Sequence, residues 1–213
     1  AFIAQEKGHQ VTLYEASDKL GGNMRLAAYP PGKGDITNMI RSYIVRCQKA
    51  GVTIKMNQEV TLDLIREEKP DSVIVASGSR TLILPIEGID NPAIIHGSDL
   101  LDGKRAAGKK VLVVGGGMVG CETAAFLGEQ NHDVTVIEFR DTVGADVIHE
   151  HRVYLMKDFE DYKIKEITGA KVCKFYADGV EYETADGQRH ESRGYDSVIL
   201  SMGFRNYNPF GEE

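Results

Sequence analysis

A glycine-rich segment between an apolar strand and an apolar helix most strongly limits how this chain can fold. Val111-Leu-Val-Val114 is a short β-branched run, which is typical of a buried parallel strand. The sequence Gly115-Gly-Gly-Met-Val-Gly120 follows it, and a helical stretch then continues to about Gln130. A further strand is predicted at Val134-Thr-Val-Ile-Glu138. This order predicts a β-α-β unit and therefore a parallel sheet.

Gly115, Gly117 and Gly120 form a G-x-G-x-x-G pattern in which each glycine has its own physical task. The first permits a tight turn, the second lets the backbone approach a pyrophosphate, and the third lets the helix pack closely on the strand. The N-terminus of the helix offers unpaired N–H groups and the positive end of a dipole to the phosphates. The pattern therefore predicts a dinucleotide-binding site.

Glu138 ends the second strand 23 residues after Gly115, close to the spacing of about 20 residues expected for an acid that binds ribose. Its carboxylate would accept hydrogen bonds from both ribose hydroxyls and would repel a 2′-phosphate. The acid therefore favours NADH over NADPH. Arg140 leaves an alternative open, because its guanidinium could reach a 2′-phosphate, stack on adenine or remain in solvent.

An internal repeat accompanies this unit. Residues 1–15 (AFIAQEKGHQVTLYE) match residues 124–138 (AAFLGEQNHDVTVIE) at six identical positions with a constant offset of 123. A second match, at an offset of 125, joins residues 71–78 (DSVIVASG) to residues 196–203 (DSVILSMG). The nearly equal offsets indicate a duplicated unit. The glycine loop of the first copy would fall upstream of Ala1, so we expect a fragment that begins inside a Rossmann unit.

The expected fold class is α/β, with two Rossmann-like three-layer dinucleotide-binding domains that have parallel sheets, the first domain being incomplete. We predict the first domain over 1–105, the second over 106–203, and a return toward the first over 204–213. The other predicted elements are helices over 35–50 and 62–69, strands over 52–56, 72–76 and 196–201, a loop-rich connection over 80–108, and antiparallel strands over 172–176, 179–183 and 188–191. The strand over 72–76 is expected to be buried.

Composition and charge disfavour several classes of function. The chain has 25 Lys and Arg against 32 Asp and Glu, a formal net charge of −7, which disfavours a surface that binds nucleic acid or an anionic membrane. No apolar run approaches the roughly 20 residues of a membrane span, and no signal peptide is evident. Cys47, Cys121 and Cys173 are scattered without a C-x-x-C, so no disulfide framework, zinc site or iron–sulfur site is expected within this chain. A reducing cytoplasm is the expected location.

Five segments of the sequence, taken in order, resemble a known family. They are VTLYE and KLGGN at 11–15 and 19–23, LAAYPPGKGD at 26–35, VIVASG at 73–78 and VILSMG at 198–203. Together they resemble the C-terminal region of the NADH:flavin oxidoreductases, which include 2,4-dienoyl-CoA reductase, 2-enoate reductase and trimethylamine dehydrogenase. The resemblance covers nearly the whole chain, although the family's glycine loop before the first acid and its Gly-Asp motif near the C-terminus are absent from this sequence.

The resemblance implies cofactors and a partner domain. It implies FAD in the first domain, or ADP as in the trimethylamine dehydrogenase branch, and NADH in the second. It also implies an N-terminal TIM-barrel domain of the same parent chain, with FMN, an iron–sulfur cluster and the substrate site. Hydride would pass from NADH to FAD, and electrons would pass onward to an unsaturated substrate. The fragment alone is expected to be inactive, and a nucleotide-binding module without a redox role is the alternative function.

The resemblance also implies which residues contact the cofactors. In the first domain these are Glu15 on the adenosine ribose, Gly22 and Asn23 near the ligand, Val60 with its backbone on adenine, and Ala76, Ser77 and Gly78 beside the flavin. In the second domain they are Gly115, Gly117, Met118, Val119, Gly120 and Glu138, with Gly203 nearby. Two arginines are further candidates from their own positions, namely Arg140 after Glu138 and Arg25, which would contact flavin or phosphate or else be solvated. No catalytic acid–base pair is expected, because hydride transfer from nicotinamide to flavin depends on stacking and alignment.

Four further residues near the second site are interpreted more modestly. Cys121 follows the glycine loop, and we expect a small buried packing residue rather than a reactive thiolate. Glu122 either orients the NADH-binding loop or caps the helix. His149 and His151 are two positions apart and would point away from each other on a helix, so no metal site is expected there.

Overall fold

The computed structural model describes residues 1–211, and Glu212 and Glu213 lie outside the described residues. The helices are α1 (Phe2–Glu6), α2 (Gly22–Leu26), α3 (Asp35–Ala50), α4 (Leu62–Glu68), α5 (Gly97–Leu101), α6 (Met118–Glu129) and α7 (His149–Asp161). The strands are β1 (Thr12–Tyr14), β2 (Thr53–Lys55), β3 (Ser79–Thr81), β4 (Ile94–His96), β5 (Lys110–Val114), β6 (Asp133–Ile137), β7 (Lys165–Ile167), β8 (Lys171–Tyr176), β9 (Gly179–Glu183), β10 (Arg189–Ser192), β11 (Ser197–Leu200) and β12 (Phe204–Asn206). None of the helices in residues 1–211 is long and apolar enough to cross a membrane.

The chain divides into two compact units. The first contains residues 1–28 and 32–80 together with the residues from Asn206 onward, and the second contains residues 29–31 and 81–205. This division differs from the predicted boundary at 105, because β4 and α5 form inside the predicted loop-rich connection and belong to the second unit. β4 pairs with β11 there. The return to the first unit begins at 206 rather than at 204.

The second unit is built on a parallel five-stranded sheet of order β4-β11-β5-β6-β7. β5 lies in the centre, where Val111 is paired with Val134 of β6 and with Ser197 of β11. The side chains from Val111 to Val114 are at most 2% exposed, as expected for a parallel strand that is covered on both faces. The carboxyl ends of the strands lie at one edge of the sheet, so the turns that follow them gather there. The predicted α/β fold with a parallel sheet is confirmed.

Two apolar cores cover the two faces of this sheet. On one face α5, α6 and α7 pack against the strands, with Val113, Leu155 and Phe159 in the core. On the other face β8, β9 and β10 form the predicted antiparallel sheet, from which Phe175 and Val180 enter the second core. The second unit therefore has three layers, in which helices, a parallel sheet and an antiparallel sheet follow one another.

The first unit contains a two-stranded parallel sheet, β1-β2, and the predicted long helix α3 between those strands in the sequence. α3 ends at Gly51, whose φ of 83° is a left-handed conformation that glycine adopts without strain. Phe2 of α1 packs on Tyr43 of α3, with the ring centroids 5.9 Å apart. The guanidinium of Arg46 lies 3.8 Å from the centre of the Phe2 ring. These contacts hold α1 against α3.

Each unit contains a parallel pair of strands, and the two pairs have the same register. β1 pairs with β2 through Thr12 and Thr53, and β6 pairs with β7 through Thr135 and Lys165, each in parallel. Thr12 and Thr135 differ by 123 positions, which is the offset of the sequence repeat. The paired strands therefore support the predicted duplication.

Backbone turns repeat as well. Glu15 and Glu138 each donate their N–H to the last residue of the neighbouring strand, and each accepts a hydrogen bond from the N–H three positions after that residue. Three pairs of equivalent positions take a positive φ, namely Gly8 and Asn131, Asn57 and Gly169, and Gly78 and Gly203. Since a positive φ is uncommon outside glycine, its recurrence at equivalent places indicates the same chain path in both copies.

The predicted buried strand over 72–76 is wrong. This segment is not a strand, and its apolar residues Val73, Ile74 and Val75 are 48%, 84% and 48% exposed. Its counterpart in the second copy, β11, lies between β4 and β5 and pairs with both. Within residues 1–211 the first unit has no counterpart of β5, because an offset of 123 would place it upstream of Ala1. A strand without neighbours has nothing to receive its backbone hydrogen bonds or to cover its side chains.

Candidate functional site

The glycine loop lies at the edge of the sheet where the strands end. Gly115 turns the chain out of β5 with a φ of 104°, and α6 begins at Met118 after Gly117. A Cβ on Gly115 would lie 2.4 Å from the carbonyl oxygen of Ser201, and a Cβ on Gly120 would lie 1.8 Å from the carbonyl oxygen of Gly115. Neither position has room for a side chain. This agrees with the tight turn and the close helix–strand packing that the pattern predicts.

Glu138 follows β6 and holds the glycine loop. Its Oε2 accepts a hydrogen bond from the N–H of Gly116 at 2.5 Å, and its Oε1 accepts one from the N–H of Arg140 at 3.0 Å. A Cβ on Gly116 would lie 2.8 Å from the Cβ of Glu138. The carboxylate is therefore packed against the loop, at the place where the predicted site needs an acceptor for ribose hydroxyls.

Asp146 lies at the same edge and was missed by the sequence patterns. Its Oδ1 accepts a hydrogen bond from the N–H of Met118, the first residue of α6, at 2.9 Å. The N–H of Gly144 donates to the carbonyl of Gly116 at 2.7 Å, which brings the segment after β6 to the loop. Asp146 stands eight residues beyond Glu138 in an irregular segment, and no spacing rule marks it.

The other predicted residues of the second site lie on or beside the loop. Met118 and Val119 open α6, and the side chain of Met118 is 41% exposed. Arg140 is exposed in the turn after Glu138. Gly203 has a φ of 102°, and the residue before it would be 3.1 Å from a Cβ on Gly115. The fold therefore gathers these residues at one edge, while their contacts with a ligand stay predictions.

Two side chains of α6 point inward beneath the loop. Cys121 is buried, and its Sγ donates to the carbonyl of Gly116 at 3.2 Å. Burial above all, together with the negative charge of Asp146, raises the pKa of this thiol to about 12. The predicted packing role of Cys121 is therefore confirmed. Glu122 is 6% exposed and its Oε1 lies 3.0 Å from Nε2 of His151 on α7, a link between helices that neither predicted role for Glu122 included. In the described part of the chain, no three His, Cys, Asp or Glu side chains form a metal-binding group.

Cys121 is expected to resist alkylation at pH 8 in the folded chain. A thiol with a pKa of about 12 is ionised to roughly one part in ten thousand at that pH. Cys173 is partly exposed and should react first. Labelling with iodoacetamide followed by peptide mass spectrometry measures both rates, and the same labelling in denaturant provides the control. Rapid labelling of Cys121 without denaturant would contradict the buried environment.

In the first unit, Glu15 repeats half of the Glu138 arrangement. Its Oε1 accepts hydrogen bonds from the N–H and from the Oγ of Ser17, both at 2.8 Å. Glu138 makes the same kind of bond to the N–H two residues ahead. The second bond of Glu138, to its glycine loop, has no counterpart in residues 1–211, since the loop of the first copy is not among them.

Three further predicted residues of the first site lie in or near α2. Gly22 and Asn23 begin this helix, and Nδ2 of Asn23 donates to the carbonyl oxygen and to the Oγ of Ser79, at 3.1 and 3.0 Å. Arg25 lies in the last turn of α2. Val60 is half-buried in the irregular segment before α4. The contacts of these residues with a ligand stay predictions.

Ala76, Ser77 and Gly78 follow the exposed apolar segment and are themselves exposed. The Oγ of Ser77 donates to the carbonyl of Tyr207. The N–H of Tyr207 donates to the carbonyl of Gly78 at 3.0 Å. The guanidinium of Arg80 lies 3.4 Å from the centre of the Tyr207 ring. These contacts order the turn, and its position beside a flavin stays a prediction.

Comparisons with known proteins agree with this arrangement. The sequence profile described as pyridine nucleotide-disulphide oxidoreductase matches residues 1–212. Bilirubin reductase of Mediterraneibacter gnavus is 34% identical over 205 residues, which are 96% of this chain and 32% of that protein. NADH oxidase of Thermoanaerobacter brockii is 33% identical over 218 residues, which are 100% of this chain and 33% of that protein.

The similarity extends to a solved structure. A 2-naphthoyl-CoA reductase in complex with 2-naphthoyl-CoA has a TM-score of 0.90 to this chain at 33% identity, covering 96% of this chain and 31% of that one. The chain therefore spans about a third of the length of these relatives.

Proposed function

The chain belongs to the pyridine nucleotide-disulphide oxidoreductase family, and we propose that it is the nucleotide-binding region of an enzyme in which the second unit binds NADH and delivers its hydride to a flavin. The predicted resemblance to the C-terminal region of the NADH:flavin oxidoreductases is confirmed by this membership and by relatives that are reductases. Because the chain spans about a third of those relatives, activity on a substrate belongs to the whole protein.

The proposal rests on one observation, that Glu138 and the N-terminus of α6 meet at a single glycine loop. A pyrophosphate at this helix end would receive backbone N–H groups and the positive end of the helix dipole. The hydroxyls of the adjoining ribose would then donate hydrogen bonds to the Glu138 carboxylate. The lack of room at Gly115 and Gly120 shows that the loop packs tightly on the strand ends, so its backbone N–H groups, rather than side chains, would face the ligand. Bound NADH supplies the hydride, and the residues of this chain bind and orient it.

The first unit fits a flavin only in part. Glu15 offers an acceptor for an adenosine ribose, but residues 1–211 contain no glycine loop for the pyrophosphate of the first site. The exposed apolar segment from Val73 to Val75 supports the same conclusion, because its counterpart β11 is covered by β5. We propose that a parallel strand and glycine loop from outside residues 1–211 complete this unit, which then binds FAD or ADP.

The remaining length of the relatives supports a further domain. The resemblance implies an N-terminal TIM barrel with FMN, an iron–sulfur cluster and the substrate site, and the relatives are about three times as long as this chain. Bilirubin and 2-naphthoyl-CoA, which two of the relatives are named for, are both conjugated molecules. We therefore propose an unsaturated, conjugated substrate, which would be reduced in that domain.

This chain alone is expected to bind NADH at least tenfold more tightly than FAD, and to oxidise no NADH. The second unit has its glycine loop, whereas the first lacks the backbone N–H groups that would hold the FAD pyrophosphate. Isothermal titration calorimetry with each ligand measures the ratio. ADP serves as the control for the adenosine half of both ligands and should bind more weakly than NADH. Tighter binding of FAD than of NADH would refute the proposed division between the units.

A further inference from the structure

The segment after β6 is fastened to the glycine loop by its backbone and by an apolar side chain. The N–H of Gly144 donates to the carbonyl of Gly116 at 2.7 Å. Val143 is 1% exposed, and its Cγ1 would lie 2.9 Å from a Cβ on Gly116. Arg152 of α7 holds the same segment, because its Nη2 donates to the carbonyl of Val143 at 3.1 Å. Residues 142–146 are therefore positioned beside the place proposed for the pyrophosphate.

Asp146 brings a carboxylate from this segment onto the first residues of α6. Its Oδ1 accepts the N–H of Met118 at 2.9 Å. A Cβ on Gly117 would lie 3.2 Å from one carboxylate oxygen and 3.5 Å from the other. Gly117 has no side chain with which to cap the helix, so Asp146 does so from eight residues beyond Glu138.

Two of the N–H groups at the loop are thus bonded to carboxylates. Glu138 accepts the N–H of Gly116, and Asp146 accepts the N–H of Met118. The Glu138 bond is compatible with a bound dinucleotide, because this acid faces the ribose in the proposed site. The Asp146 bond would compete with one, because N–H groups at the start of such a helix are those that hold a pyrophosphate.

We propose that Asp146 competes with the pyrophosphate of NADH for the N-terminus of α6 and thereby sets the affinity of the site. The proposal rests on the proposed function in so far as NADH is the ligand of this loop. Asp146 is exposed, so its side chain is free to rotate into solvent when the pyrophosphate arrives. While the Asp146 carboxylate remains at the N-terminus of α6, its negative charge repels the phosphate groups of the ligand. It is therefore a residue that lowers affinity for any phosphate-bearing ligand at this loop.

The test compares Asp146→Asn with the unaltered chain. The amide oxygen still caps α6, but the negative charge is removed, so we expect NADH to bind about fourfold more tightly, the factor for unit charges roughly 5 Å apart at the dielectric constant of water. The ratio should fall toward one at 1 M salt, where the Debye length is about 3 Å. A residue that only stabilised the loop would give no such salt dependence. Kd is measured by NADH fluorescence, and folding by thermal denaturation.

Asp141→Asn is the matched control, because it removes the same charge from the same segment. The Asp141 carboxylate neighbours Gly169 rather than the start of α6, since its Oδ1 would lie 3.7 Å from a Cβ on Gly169. Its Kd should change by less than about 1.5-fold. Asp146→Ser, a neutral capping residue, should reproduce the gain in affinity if Asp146→Asn folds poorly. Measurable NADH binding that is equal or weaker in both Asp146 variants would overturn this proposal alone. Loss of NADH binding in every chain, including the unaltered one, would overturn the proposed function and this proposal together.

Discussion

Gly120→Ala is expected to disrupt the glycine loop and to abolish NADH binding. A Cβ at this position would lie 1.8 Å from the carbonyl oxygen of Gly115 and 2.8 Å from its carbonyl carbon. Both are backbone atoms of a turn that is itself packed against Ser201, so the clash cannot be relieved by rotating a side chain. We expect a loss of about 3 kcal/mol in the free energy of unfolding and a Tm lower by about 10 °C. NADH affinity should fall at least about a hundredfold.

Gly117→Ala is the matched control for this prediction. Its Cβ would meet only the carboxylate of Asp146, at 3.2 Å, and that side chain can move. The φ of Gly117 is −71°, which any residue adopts. Its Tm should stay within about 2 °C of the unaltered chain, while NADH binding weakens because the new methyl group occupies the surface where the pyrophosphate approaches. Thermal denaturation and NADH titration of both variants separate the two effects. An unchanged Tm for Gly120→Ala would contradict the clash expected between a side chain at this position and the backbone of Gly115.

The second unit could be predicted from the sequence because its signals are local. An apolar β-branched run, a glycine pattern and an acid at a fixed distance occur within 138 − 111 = 27 positions of one another. Each of these signals predicts the local conformation of the residues that form it. The structure has β5, the loop and Glu138 at the predicted positions.

Residues 72–76 show where such signals fail. Their sequence, SVIVA, is nearly that of β11, yet β11 is buried and paired while Ile74 is 84% exposed. The difference lies in the neighbours, since β11 is held between β4 and β5 and the first unit has no counterpart of β5 in residues 1–211. A strand is stabilised by other strands, so composition alone does not determine whether an apolar run is buried.

Asp146 could not be predicted for a different reason. It lies in an irregular segment and reaches the helix only because Gly144 and Val143 fasten that segment to the loop. A contact of this kind depends on tertiary packing, and no periodicity or motif encodes it. The residues that hold a loop are thus harder to find than the glycines that form it.

The duplication provides a pair of equivalent acids with different surroundings. Glu15 and Glu138 both follow a strand, and both bind the N–H two residues ahead. Of the two, Glu138 also binds a glycine loop within residues 1–211. A substitution at Glu138 should therefore alter the choice of dinucleotide, whereas the same substitution at Glu15 should leave that choice unchanged.

Glu138→Ala is expected to narrow the preference for NADH over NADPH by about tenfold to a hundredfold. The change removes charged acceptors for the ribose hydroxyls, which weakens NADH, and it removes the repulsion of a 2′-phosphate, which strengthens NADPH. It also removes the bond to the N–H of Gly116, so both affinities suffer from a looser loop. The ratio of the two Kd values cancels that shared loss, and titration of each chain with both nucleotides gives it. Glu15→Ala should keep the ratio of the unaltered chain. If Glu138→Ala keeps that ratio too, the ribose does not bind to this carboxylate, and the Glu138 side chain only stabilises the glycine loop.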